Sequence, residues 1–378
     1  MSVTKKTFIS PDDGYAYFFG YYDLQPFSQD KKIHLAHRVK FINRLPTAAD
    51  EAETGYIDVQ SKRFTAIART HAWNFQQGAF LRWFDRDDSV TFNDFDGQKY
   101  VSRVVDLHGN ELRRYDRPFA ALSVEKGVGL SVNFGRIYDF RKGYGYVNVP
   151  DPFQNENAPA QDGIVAVDLR SGNSEIVLSY KRMKELFEEE PFTRQKLVVN
   201  HITFNPSGDK YVFLLRNNDP EGKKWGTVLA VGDLKGNTVK LTGFEVNSHY
   251  SWKDDENLMI YSGLPEWGIY FINTVTGERG RLNDALMDKG DIHCNYSPDK
   301  SCFIGDGYPE KDGKRYLYYY DFATKKSRAL FGAYSLPLQT DIRCDLHARW
   351  SDDGTLISYD TTEDGNRRIA VVPFQSMI

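Results

Sequence analysis

One short unit recurs along this chain of 378 residues, and a recurring unit constrains a fold more than any local pattern does. It begins with an apolar or aromatic anchor, continues through a turn-like run, and ends in an apolar strand. It is seen at Phe27-Ser28-Gln29-Asp30, Trp83-Phe84-Asp85-Arg86 and Leu122-Ser123-Val124-Glu125. Four further copies carry the turns Asn205-Pro206-Ser207-Gly208, Lys253-Asp254-Asp255-Glu256, Ser297-Pro298-Asp299-Lys300 and Ser351-Asp352-Asp353-Gly354, after the anchors Phe204, Trp252, Tyr296 and Trp350. Pro in the second position presets φ, and a later Asp or Gly suits a turn.

A hairpin of two strands follows most anchors. The sequence places these hairpins at Gly55–Ile67, Tyr100–Tyr115, Gly163–Leu178, Gly226–Leu241, Gly268–Leu282 and Tyr316–Leu330. Four strands per unit, at roughly 40 to 55 residues each, predict an all-β fold, a seven-bladed β-propeller of four-stranded antiparallel blades. The last unit has only the strand Arg367–Phe374 after Asp360, one strand short. The strand-like Lys5–Ile9 is expected to supply it and close the ring, which removes two exposed edges. Residues 1–378 are thus expected to form a single domain. Insertions at 140–162 and 180–198 should decorate one face, the second beginning with an amphipathic helix over Tyr180–Glu190 that stops before Pro191.

Composition narrows the function classes. Aromatic residues make up 14% of the chain, which favours strands, and the net charge of −4 offers no basic field for nucleic acid. No run reaches the ~20 apolar residues of a membrane span, and the first residues lack the apolar core of a secretion signal. Cys294, Cys302 and Cys344 are an odd number without metal spacing, so reduced thiols in a cytoplasmic protein are expected. No Gly-rich phosphate loop or Gly-x-Ser-x-Gly elbow is present.

Four histidines, His201, His249, His293 and His347, each stand three residues before an anchor aromatic. One residue type at one repeat position suggests side chains converging on one place. Imidazole suits metal binding and proton transfer, or else hydrogen bonds between blades. Residues just before an anchor and at the end of the second strand should share a face, which adds Arg136, Arg216, Asp306 and Asp360. Blade seven holds the densest cluster, in which alternation puts Asp341, Arg343, Asp345 and His347 on one side. Such a group can bind a metal beside His293, or form an Arg–Asp ion pair that locks the ring. Arg216 can hold a carboxylate or pair with a neighbouring Asp. Gln77, with Gln76 beside Trp73 and Phe75, looks like a sugar-binding mixture or a strand cap, and Tyr22 precedes the first anchor on the channel side.

With repeat and histidines in place, the chain resembles the oligogalacturonate lyases, seven-bladed propellers related to the WD-like repeats. The motifs that carry this are His201-Ile202-Thr203-Phe204-Asn205-Pro206-Ser207-Gly208, Ser248-His249-Tyr250-Ser251-Trp252, His293-Cys294-Asn295-Tyr296-Ser297-Pro298-Asp299 and Asp345-Leu346-His347-Ala348-Arg349-Trp350-Ser351. The amino-terminal part, from Tyr21-Tyr22-Asp23 to Gln76-Gln77-Gly78, is more similar to other bacterial propellers. The resemblance implies a manganese or similar divalent ion held by histidines and a glutamine. It makes His293 and His347 metal ligands, and Arg216 and His249 the catalytic pair. Asp345 stands where a third histidine would, and Gln339 is only a loose match for the glutamine. The implied reaction is β-elimination on a uronic-acid-containing oligosaccharide, with His249 or Arg216 taking the proton α to the carboxylate. His201, Arg343, Gln77, Arg136 and Tyr22 would then contact substrate. The other reading is a non-catalytic propeller that binds a glycan or protein partner on the decorated face.

Overall fold

The repeated turns work by one local device, visible in a computed structural model that describes residues 6–85, 87–188, 195–218, 226–263 and 265–378. Ser28 Oγ donates to Asp30 Oδ1 (2.8 Å) and accepts from the Ile33 N–H (3.0 Å). Ser297 does the same with Asp299 and the Cys302 N–H, and Ser351 with Asp353 and the Leu356 N–H. In blade four Asn205 Oδ1 accepts from the Lys210 N–H. Each side chain thus fixes the reversal that pairs the first two strands of its blade.

Strand β1 (Thr7–Phe8) comes first in the chain and joins the last blade. Blade one follows as β2 (Ala16–Phe18), β3 (Ile33–Val39), β4 (Ala52–Asp58) and β5 (Phe64–Thr70). Blade two is β6 (Arg82–Asp85), β7 (Ser89–Phe95), β8 (Tyr100–Asp106) and β9 (Glu111–Tyr115). Blade three is β10 (Ala121–Ser123), β11 (Val128–Ser131), β12 (Gly163–Asp168) and β13 (Ser174–Ser179), with helix α1 (Phe134–Phe140) between β11 and β12. Helix α2 (Tyr180–Phe187) leads to blade four, which is β14 (Lys196–Phe204), β15 (Lys210–Asn218), β16 (Thr227–Asp233) and β17 (Thr238–Lys240). Blade five is β18 (Asn247–Trp252), β19 (Asn257–Ser262), β20 (Gly268–Asn273) and β21 (Arg279–Arg281). Blade six is β22 (His293–Tyr296), β23 (Cys302–Asp306), β24 (Lys314–Asp321) and β25 (Lys326–Tyr334). Blade seven is β26 (Arg349–Trp350), β27 (Leu356–Thr361) and β28 (Arg368–Pro373), completed by β1.

The protein is therefore a seven-bladed β-propeller of four-stranded antiparallel blades, and its amino-terminal strand closes the ring. Thr7 pairs with Val371 and Phe8 with Ala370, as the incomplete last unit predicts. Lys5 lies outside the described residues. The described residues fall into two compact units, one of 6–95, 103–114 and 283–378 and the other of 96–102 and 115–282. The first has cores built on Phe18, Trp73, Phe92 and Ile369, and on Ile304, Leu317, Ile357 and Tyr359. The second has a core on Leu214, Leu229, Leu258 and Ile260. Each such side chain contributes about 1.5–3 kcal/mol by leaving water.

Two expectations are corrected, and one feature of blade one is new. The blade-three insertion begins with α1, capped by Asn133, whose side chain accepts from the Arg136 N–H. The strand-end reading of Arg136 therefore fails, because a cap starts a helix there. Residues 196–198, assigned to the second insertion, belong to β14. The first strand of blade one is interrupted, since β2 pairs with β3 but Phe27 rejoins only through a bridge to His34. The intervening Phe19–Pro26 is an excursion the repeat did not reveal. Helix α2 starts at Tyr180 on the cap Ser179, while its predicted end before Pro191 lies outside the described residues. Among the described residues no helix is long and apolar enough to cross a membrane. All three cysteines are free thiols and buried.

A candidate site of two histidines, an aspartate and two arginines

The first unit brings His293, Asp306, Arg343, Asp345, His347 and Tyr22, all named from the sequence, together. His293 opens β22 and pairs in register with Asp306 at the end of β23. The segment before β26 starts with a 3-10 turn over Thr340–Ile342, which takes Asp341 out of the expected alternation. Beyond it Arg343, Asp345 and His347 do converge, and His347 holds a left-handed φ of +42°. A non-glycine residue in that region is strained and needs surrounding bonds to hold it. Arg349 supplies them, its Nε donating to the His347 carbonyl (2.6 Å) and its guanidinium pairing with Asp360 (2.8 Å). The Leu346 N–H donates to Asp306 Oδ2 (3.0 Å).

The ligand atoms of His293, Asp345 and His347 all lie within 4.8 Å of one another, and all three side chains are buried. The two imidazole rings meet edge to face at 4.5 Å. His347 Nδ1 is 3.0 Å from the Gly20 carbonyl, which only accepts, so Nδ1 carries the hydrogen and Nε2 keeps its lone pair. That Nε2 is buried, lies 3.8 Å from Asp345 Oδ2 and makes no hydrogen bond. His293 Nδ1 faces Asp306 Oδ2 at 3.4 Å. A carbonyl and a carboxylate behind the two rings are the outer partners that metal-bound histidines use.

Asp345 is flanked by Arg315 Nη1 (2.8 Å) and Arg343 Nε (2.7 Å). Both contacts are at ion-pair distance, yet neither carboxylate oxygen has a hydrogen bond of good geometry. Burial alone would raise the Asp345 carboxyl; the Arg343 and Arg315 charges instead hold it well below the usual carboxylate range. Burial also disfavours charge on both histidines. At His293 the Asp306 and Asp345 carboxylates outweigh it and raise the pKa, whereas at His347 the neighbouring His293 adds to it and lowers the pKa well below 6.5. The two rings are therefore shifted in opposite directions. Tyr308, 45% exposed, caps the arginines, its ring 5.8 Å from Arg315 and 5.6 Å from Arg343.

The Phe19–Pro26 excursion completes the site. Gly20 has φ +140°, and a Cβ there would come within 2.9 Å of the Gln77 carbonyl, so only glycine places this acceptor behind His347. Tyr21 packs on His347 (4.9 Å) and Tyr22 on His293 (5.5 Å), which puts the predicted Tyr22 in the cluster. Gln77 lies beside Gly20, and Gln76 Nε2 donates to the Arg343 carbonyl (2.9 Å). Arg315 escaped the sequence reading. Its signal was a charge in the same alternation as buried Leu317 within Arg315-Tyr316-Leu317.

The other predicted residues belong to the second unit. Arg216 is buried in β15, paired in register with Val198 and Thr227. His249 sits where the register of β18 skips from Asn247 to Tyr250. His201 occupies the matching skip of β14 with φ +55°, its ring against Tyr144 (5.4 Å). Arg136 is not placed to receive a ligand. All five of its guanidinium N–H groups are taken, by Asp151 and by the carbonyls of Leu197, Phe153, Glu156 and Asn157. Tyr146 stacks on Phe134 (4.3 Å), so the insertion packs on itself.

Compared with solved structures, the chain is similar to an oligogalacturonate lyase in complex with manganese, with a TM-score of 0.67 and 17% identity over 98% of this chain and 93% of that one. An oligogalacturonate lyase from Vibrio parahaemolyticus aligns with a TM-score of 0.68 and 14% identity, again over 98% and 93%. A chain of the mitotic checkpoint complex aligns at 0.51 and 12%, over 98% and 95%. No protein-family model and no curated protein matches the sequence. At these identities the likeness is one of fold, and in fold the chain resembles the oligogalacturonate lyases.

Proposed function

We propose that the protein is a carbohydrate-active propeller that cleaves a uronic-acid-containing oligosaccharide in the cytoplasm by β-elimination, with a divalent ion such as manganese held by His293, Asp345 and His347. The observation that carries this reading is the buried Nε2 of His347 beside two Asp345 oxygens that lack hydrogen bonds. Buried polar atoms of that kind are costly unless something satisfies them. The donor set of two imidazoles and a carboxylate, with each ring backed by an acceptor, suits a divalent ion of this type. The likeness in fold to a lyase whose structure contains manganese supports the same reading.

When bound, the ion supplies charge neutralisation for a substrate carboxylate, which acidifies the neighbouring C–H. The resemblance to the lyases would make His249 the imidazole base for that proton and Arg216 the fork of N–H donors for a carboxylate. A tyrosine hydroxyl or water returns a proton to the departing glycosidic oxygen. Arg343 and Arg315 hold Asp345 ionised at near-neutral pH, keeping it available as a ligand. The unsaturated product absorbs in the ultraviolet, so incubation with oligogalacturonides and other uronides, with Mn²⁺ and with a chelator, tests the reading. An absorbance rise that the chelator abolishes is expected; no rise on any uronide, with no metal in the purified protein, refutes it.

One observation favours a second, binding-only reading. Asp345 already has a guanidinium on each side, an arrangement that compensates its charge without an ion. In that case the purified protein binds uronides without turnover and takes up no manganese.

A further inference from the structure

Blade five carries an exposed tryptophan whose setting is built rather than incidental. Single exposed apolar residues are ordinary on a protein surface and need no explanation. Trp267, 54% exposed in the β19–β20 connection, differs in how it is held. One side of the indole lies against Tyr261, with ring centroids 5.8 Å apart and planes 30° from parallel. The ring also covers Gly263, where an added Cβ would be 3.9 Å from the indole carbons. The backbone is tied as well, because Arg281 donates to the Trp267 carbonyl (2.8 Å) and the Tyr270 hydroxyl to the Glu266 carbonyl (2.8 Å). Arg281 pairs with Glu266 (3.1 Å), leaving a guanidinium and a carboxylate at the edge of the ring.

The platform stands at the same end of its blade as His249. Ser262, the last residue of β19, pairs with Asn247, the first of β18, two positions from His249. Asn247 is fixed there, its amide donating to the Thr227 carbonyl (2.6 Å) and Thr242 Oγ1 (2.9 Å) and accepting from Ser262 Oγ (2.8 Å). The equivalent connection of blade six, between β23 and β24, also carries an exposed aromatic beside arginine, Tyr308 with Arg315.

We infer that Trp267, backed by Tyr261, is the stacking platform for one sugar ring of the glycan, with Arg281 beside it to meet that ring's carboxylate. This rests on the glycan reading above. A pyranose presents a face of C–H groups that an indole plane can cover, and its rim of hydroxyls or a carboxylate needs hydrogen-bonding side chains at the ring's edge. Holding the indole in advance removes the ordering cost a mobile side chain would pay on binding. Arg281 gives the platform a preference for an acidic sugar over a neutral one.

The test is calorimetric titration of the full-length protein with trigalacturonate. Trp267→Ala should weaken binding about tenfold, Trp267→Phe much less, and Arg281→Ala should weaken trigalacturonate more than a neutral trisaccharide. All three variants should melt with the wild-type protein, since neither side chain is buried. Wild-type binding with an unimpaired Trp267→Ala overturns the platform alone. Failure of the wild-type protein to bind any uronide overturns the glycan reading, and the platform with it.

Discussion

Each compact unit buries an arginine–aspartate cluster, and the two clusters differ in what is left over. In the blade-three insertion, Arg136 has all five donors satisfied, and its partner Asp151 also meets Lys196 (2.8 Å), Asn133 (2.9 Å) and the Phe153 N–H (3.0 Å). In blades six and seven, Asp345 stands between Arg315 and Arg343, yet its oxygens and His347 Nε2 make no hydrogen bond. A closed network holds a loop in shape. A network with buried acceptors left over has room in its chemistry for something that is not the protein.

The comparison breaks first on Arg136. Arg136→Met would leave four carbonyls and a buried carboxylate short of a donor, so it should cost about 3–5 kcal/mol in urea unfolding without altering the affinity of the remaining folded protein for ligand. A loss below about 1 kcal/mol, within the range of an ordinary surface change, would rule out a structural role for Arg136.

Asp345→Asn sharpens the other half. It removes an anionic ligand from the histidine pair, and calorimetry with Mn²⁺ should show affinity falling by about a hundredfold or more, larger than the 10–100-fold usual for outer partners. The variant should also lose stability, because two buried guanidinium groups keep only a neutral amide between them. Unchanged Mn²⁺ affinity, or no affinity in the parent protein, would make the cluster an ion-pair lock.

Much of this was legible in the sequence, for reasons that separate local from distant effects. The blades were readable because each turn is built from residues within five positions of one another, as Ser28, Asp30 and Ile33 are. Ring closure followed from counting strands. The convergence of Arg343, Asp345 and His347 followed from alternation along one short segment. Asp306 followed from its place at the end of a second strand, but Arg315 reaches that segment from another blade and the Gly20 carbonyl arrives by an excursion within blade one, so no spacing announces these two. Arg136 was misread because Asn133 can end a strand or cap a helix, and only the Arg136 N–H bond to its side chain decides which.

The smallest expected effect extends the comparison to the histidines. His34 and His37 of blade one are buried, and burial lowers them to about 3 and about 4. His37 Nε2 accepts from the Ala79 N–H (3.0 Å) and so must stay unprotonated, a structural use like that of Arg136. Because the unfolded chain binds these protons near pH 6.5 and the folded one does not, stability is full above that pH and falls as pH drops below it. Asp360 acts the other way. Burial raises its folded pKa to about 6, so protonation between about 6 and the unfolded carboxylate value favours the folded state and offsets part of the loss. His293 and His347 are shifted in opposite directions. Unfolding free energy should therefore fall by about 1–2 kcal/mol between pH 7 and 5.5, given about 1.4 kcal/mol per pKa unit. Replacing His37 should remove about half of the histidine part of that slope. If His293→Gln changed the slope more than a His37 substitution did, the titration would belong to the site and not to the scaffold, and the division between closed and open clusters would have to be redrawn.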